Sequence, residues 1–196
     1  TRYIAVAEKI ITDGALYPIV LHNSPNDSYA TSICPPLFEY LISVFLLLGF
    51  EKLTAGGMVS LLFLAFLPFP IYYLAKEVGN RGIGYLSVLC LISMASTWYV
   101  GTYVWTETTF TFLSLSALLF CVKYLTTDHT ENLLLCSFFC MLSCLTKWIG
   151  IFIGISILSV LLYRYYKENR PSGVMLLLYS IISFLPVSVL LLRNAI

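Results

Sequence analysis

Residues 105–125 read WTETTFTFLSLSALLFCVKYL. Once past Glu107 the chain carries no charge until Lys123. The polar side chains between them are Ser and Thr, whose hydroxyls can bond back to a helix's own carbonyls. A bilayer core of about 30 Å needs about 20 predominantly apolar residues in a helix, so Thr108–Leu125 is a candidate transmembrane span. Working outward, comparable runs lie at Ala55–Ala75, Ile83–Val104, Leu133–Thr146, Trp148–Tyr163 and Gly173–Leu192. Leu133–Thr146 and Trp148–Tyr163 together exceed one crossing, and Thr146-Lys147-Trp148-Ile149-Gly150 breaks the apolar pattern. Two short spans meeting at Lys147 therefore fit better than one overlong helix.

Composition agrees. The 196 residues are 59% hydrophobic and 11% charged, far less charge than a soluble domain needs on its surface. Because lipid cannot satisfy an exposed backbone, the fold class expected is all-α, a polytopic transmembrane helical bundle with about six spans over residues 54–196. A net charge of +1 gives no field that would attract nucleic acid. Of the six cysteines, Cys136, Cys140 and Cys144 share a helix face with no His or acid to complete a metal site, and packing is the expected role. The chain starts at Thr1 without a signal peptide, which reads as a piece of a longer protein.

Residues 1–53 differ from the rest. TRYIAVAEKIITDG spaces Tyr3, Ile4, Ala7, Ile10 and Ile11 as an amphipathic helix with Gly14 as its C-cap. HNSPNDS, residues 22–28, is turn-rich, and its Asn26-Asp27-Ser28 matches a glycosylation sequon that means something only in a eukaryotic secretory compartment. Cys34–Phe50 opens on Pro35-Pro36, and its clean apolar part, Tyr40–Phe50, is too short to cross, so an interfacial or re-entrant helix is expected. With that segment not crossing, Lys76, Arg81, Lys123, Arg164, Lys167 and Arg170 all fall on one side, the cytoplasmic one by the positive-inside rule. Residues 1–53 then form a first extracytoplasmic loop carrying juxtamembrane helices, on the same side as Glu107, Lys147 and Arg193.

These three ionisable groups stand at the outer ends of spans. A charge at membrane depth costs about 2.5–3.5 kcal/mol on insertion scales, so each asks for a reason. Snorkelling beside the belt residues Trp105 and Trp148 is one. Convergence of one acid and two bases on a cleft for an anionic, lipid-linked substrate is the other. Glu39 lies in the Pro-Pro helix and faces either the cleft or the headgroups.

Several stretches, in order, resemble the C-type (GT-C) membrane glycosyltransferases, in particular the protein O-mannosyltransferase, aminoarabinose-transferase and related family 39/83 groups. RYIAVAEKIITDGALYP looks like the segment after the family's first catalytic aspartate, ICPPLFEYLISVFLLLGF like its Pro-Pro juxtamembrane helix, and IYYLAKEVGNRGIGYLSVL like its cytoplasmic turn. WTETTFTFLSLSALLF is similar to its Thr-Glu-x-x-Phe span start; CLTKWIGIFI and LPVSVLLLRN resemble its Leu-Thr-Lys/Arg turn and terminal Arg-Asn. The resemblance implies transfer of a sugar from a polyprenyl- or dolichyl-phosphate donor to a hydroxyl of a protein or glycolipid acceptor, outside the cytoplasm. It implies a bilayer-embedded, multi-pass enzyme, with a prokaryotic cell membrane favoured over the endoplasmic reticulum. On this alignment Tyr3 is the family tyrosine, its aspartate would directly precede Thr1, and the fragment alone would be inactive.

For such a transfer the phosphate leaves as a weak base and needs no general acid, only cationic stabilisation. Lys147 and Arg193 suit that task, Glu107 suits the orienting or deprotonation of the acceptor hydroxyl, and Tyr3 and Glu39 are further substrate contacts. No cofactor is assigned, and a divalent metal is left open. Some relatives use a divalent metal, but Cys34 stands where they often carry His or Lys, and no metal ligands are assigned. A transporter or flippase fragment and a non-catalytic membrane scaffold are the rival readings; the first expects midplane charges and repeated halves, which the sequence does not display.

Overall fold

The computed structural model describes residues 2–13, 35–168 and 170–195. The turn-rich loop with its sequon, the expected cap Gly14 and Cys34 lie outside the described residues. Among the described residues the chain is helical throughout: α1 (Arg2–Asp13), α2 (Leu37–Leu47), α3 (Lys52–Phe66), α4 (Pro68–Val78), α5 (Arg81–Ser93), α6 (Ala95–Thr102), α7 (Glu107–Thr127), α8 (Thr130–Cys144), α9 (Gly150–Glu168) and α10 (Gly173–Ala195).

Among the described residues four helical stretches are long and apolar enough to cross a membrane: Lys52–Val78, Glu107–Thr127, Gly150–Glu168 and Gly173–Leu192. The first joins α3 to α4. Pro68 and Pro70 fall in the first turn of α4, where a missing N–H costs little, and Leu67 keeps its bond to the Phe63 carbonyl at 2.9 Å. The expected span Ile83–Val104 is a bent pair, α5 and α6, meeting at 63°. At the break the Trp98 indole donates to the Ile92 carbonyl at 2.8 Å, satisfying a group that the interrupted ladder leaves open. The expected span Leu133–Thr146 is α8, whose 15 residues are fewer than a crossing usually takes. As expected, α8 and α9 are separate helices that turn at Lys147, and α2 is too short to cross.

Cross-helix contacts order the bundle. Ser60 donates to the Trp105 carbonyl, the Phe63 and Phe112 rings lie 5.4 Å apart, and Lys123 lies over Tyr73, so α3–α4 and α7 run the same way. The bent α5–α6 pair returns the chain between them. α7 and α8 then form an antiparallel hairpin, pinned by the Ser114–Ser143 hydroxyl bond at 2.8 Å and the stacked Phe120–Phe139 rings. α9 and α10 close over α8, with Tyr179 donating to the Gly154 carbonyl at 3.1 Å.

The main core lies among α7, α8, α9 and α10. It buries Leu133, Leu161 and Tyr179 together with Cys121, Cys136, Cys140 and Cys144, so the thiol face of α8 is packing surface. A second core, built from Ala7, Phe38, Ile42, Ala55 and Val59, seats α1 and α2 on the first turns of α3. There Lys52 pairs with Glu8 at 2.6 Å.

Candidate functional site

Glu107 is the first residue of α7, where its carboxylate meets the positive end of the helix dipole. Lys147 sits in the turn between α8 and α9. That turn is wound tightly: the Lys147 amide bonds the Ser143 carbonyl at 3.0 Å, and the Gly150 amide bonds the Lys147 carbonyl at 2.9 Å. The α7–α8 hairpin brings the two together. Lys147 Nζ lies 2.6 Å from Glu107 Oε1, and 5.9 Å from the centre of the Phe110 ring. The side chains are 32% and 45% exposed respectively, so this is an accessible pair at the rim of the bundle, not a buried one.

Glu107 also lines a groove of about 290 Å³ between α3, α7 and the α5–α6 break. Leu64, Leu67, Leu91 and Val100 give it apolar walls, and Ser96, Thr97, Glu107, Thr108 and Thr111 give it polar atoms. Within it Thr108 is unusual, because its hydroxyl is buried and has no hydrogen-bond partner. A helical Thr commonly bonds the carbonyl four residues back; at Thr108 that residue is Val104, which lies before the helix begins. The carboxylate thus faces a partly polar groove on one side and an ammonium on the other.

The α1–α2 layer is at this same end. The Leu37 amide, at the start of α2, donates to the Leu145 carbonyl at 3.0 Å, two residues from Lys147. Tyr3 packs edge-on against Phe38 with ring centres 5.2 Å apart. Glu39, in the first turn of α2, is buried at 1% exposure, so it does not face the headgroups. Neither Tyr3 nor Glu39 lines the Glu107 groove. Arg193 lies in the last turn of α10, a helix that starts near the Asp128–Arg170 ion pair at the far end. Its backbone is about 30 Å along from Gly173 at 1.5 Å per residue, toward the Glu107 end.

Two of the five expected site residues are therefore in direct contact, and two stand in the neighbouring α1–α2 layer. Ser96, Thr97, Thr108 and Thr111 were not singled out in the sequence, where a hydroxyl in an apolar helix is indistinguishable from one bonded to its own backbone. Among the described residues no three His, Cys, Asp or Glu side chains gather as a metal would require.

Residues 34–192, most of the chain, match the protein family described as dolichyl-phosphate-mannose-protein mannosyltransferase. No curated protein and no solved structure matches significantly. The helices of the described residues, four stretches of which are long and apolar enough to span, are consistent with a bilayer-embedded helical bundle. The chain is an integral membrane protein and belongs to the dolichyl-phosphate-mannose-protein mannosyltransferase family of glycosyltransferases.

Proposed function

We propose that the Glu107–Lys147 end of the bundle is where a sugar passes from a polyprenyl- or dolichyl-phosphate carrier to a hydroxyl of a protein or glycolipid acceptor, on the extracytoplasmic side. The observation that carries this reading is the double role of Glu107, which lines the groove and holds Lys147 at 2.6 Å. The donor's phosphodiester breaks at the anomeric carbon, and the carrier phosphate departs with the bonding pair. Lys147 is placed to transfer its ammonium from Glu107 to that phosphate as negative charge builds on it. Arg193 adds a second, forked cation at the same end. The released Glu107 carboxylate then takes or orients the proton of the attacking hydroxyl.

The groove is the proposed seat for the sugar, since Thr108 has a hydroxyl to offer and the leucines exclude water. Residues 1–53, with Tyr3 and Glu39 in their helices, are proposed as the extracytoplasmic cover, and residues 54–196 as the membrane bundle. Net basic charge at the opposite end, where Lys76, Lys123, Arg164, Lys167 and Arg170 collect, supports that orientation.

The test is Glu107→Gln in the full-length protein, assayed for sugar transfer from a synthetic polyprenyl-phosphate sugar alongside a thermal melt. Transfer is expected to fall at least about a hundredfold, the lower range of a lost general base. The melt should be nearly unchanged. Retained transfer would remove Glu107 from the site.

A further inference from the structure

At the end of the bundle away from Glu107, two half-buried lysines lack, among the described residues, the carboxylate partners that Arg164 and Arg170 have. Arg164 and Arg170 share Asp128 at 2.9 and 2.7 Å, and Arg164 also pairs with Glu168. Lys76 of α4 and Lys123 of α7 are half-buried, yet among the described residues neither has a carboxylate within ion-pair distance. Both ammoniums instead lie over one ring, that of Tyr73, at 5.9 and 5.5 Å from its centre. A ring face attracts a cation but does not neutralise it, so both ammoniums at the α4–α7 seam keep a positive charge that no carboxylate among the described residues offsets at ion-pair distance.

Tyr73 is also one wall of an apolar groove of about 460 Å³ between α4 and α5, lined further by Phe69, Tyr72, Tyr85, Leu89 and Ile92. The groove exists because α5 approaches α4 through Gly84; a Cβ there would sit 2.9 Å from the Tyr72 ring. It runs from the Tyr73–Tyr85 level toward the middle of the bundle at Pro68 and Ile92. Its volume falls within the range of roughly 300–1,000 Å³ typical of small-ligand sites.

We propose that this is a binding site for an anionic phospholipid of the leaflet at the basic end, with the phosphate between Lys76 and Lys123 and an acyl chain in the groove. Charge placement selects the occupant. The two cations stand at one end of the groove with apolar lining below, the pattern of a lipid and not of a partner helix, whose polar groups would be spread along its length. A zwitterionic lipid would bring a positive choline to a site that already holds two ammoniums, whereas an anionic headgroup satisfies both.

The test uses the full-length protein in nanodiscs of equimolar phosphatidylglycerol and phosphatidylcholine, with retained lipids counted by native mass spectrometry. Wild type should retain phosphatidylglycerol over phosphatidylcholine. Lys76→Gln with Lys123→Gln should weaken that retention about thirtyfold, at about fivefold per lysine. Lys76→Arg with Lys123→Arg should keep it, and Lys167→Gln, an exposed lysine at the same end, should leave it unchanged. Leu89→Trp, which fills the groove from an exposed position, should expel the lipid with helicity preserved. Equal retention of both lipids by wild type, undiminished phosphatidylglycerol in the double Gln or the Leu89→Trp variant, or a lipid-free groove closed by a second copy of the chain would each overturn the proposal.

Discussion

Glu107 and Lys147 make one short bond in a half-exposed setting, and solvent-exposed ion pairs of that kind contribute about 0–1 kcal/mol. Lys147→Ala should therefore shift stability by less than about 1 kcal/mol in a denaturation series, while lowering kcat for transfer from the lipid-phosphate donor more than it raises KM. An unchanged kcat would return Lys147 to an anchoring role. Thr108 makes the converse case. Its buried hydroxyl lacks a partner, and a group in that state costs about 1–3 kcal/mol, so Thr108→Val should raise the melting temperature. If that hydroxyl serves the sugar, transfer falls in the same variant; stability and activity would then move in opposite directions. At this scale the two charges were legible in the sequence because charges are rare in an apolar chain. Thr108 was not, because its environment is made by α3 and α6, which lie elsewhere in the sequence.

Among elements, the turn between α8 and α9 decides where Lys147 stands. Gly150 is buried in it, and a Cβ there would lie 2.7 Å from the Cys144 nitrogen and 2.7 Å from the Ser143 carbonyl carbon. Both are backbone atoms and cannot swing aside. Gly150→Ala should therefore cost about 1–3 kcal/mol, the usual range for overpacking, and should displace Lys147 as well, so that donor use suffers beyond the loss of stability. Gly154→Ala is the comparison: its Cβ would meet the Phe184 ring and the Cys140 sulfur, within the core and away from the turn. The spans α3–α4, α7, α9 and α10 and the break at Lys147 could be read from hydropathy, since each is a long apolar run between polar breaks. The bend at Met94 could not. No proline or glycine marks it, and the Trp98–Ile92 bond that accommodates it links residues six apart.

At the scale of the molecule the two ends differ in charge: Lys76, Arg81, Lys123, Arg164, Lys167 and Arg170 gather at one, and α1, α2 and the Glu107–Lys147 pair at the other. The proposed orientation can be measured directly. In a Cys34→Ser, Cys90→Ser background, Glu51→Cys should react with a membrane-impermeant thiol reagent on intact cells, and Glu131→Cys should react only after permeabilisation. The reverse pattern would invert the assignment of sides. This polarity was legible from loop charges alone, whereas the docking of α2 against the α8–α9 turn rests on a backbone bond between residues 37 and 145 that no periodicity announces. The closed state of the Glu107–Lys147 pair has a final consequence. An isolated ammonium would gather stray phosphate from solution, but an acid and a base in contact present only a dipole, whose pull fades faster with distance. Small anions passing the rim find little to hold them. On the proposed reading, a substrate that offers both a negative group for the lysine and a hydroxyl for the glutamate replaces each partner as it parts the pair, whereas one that offers a single group leaves the other partner unmatched.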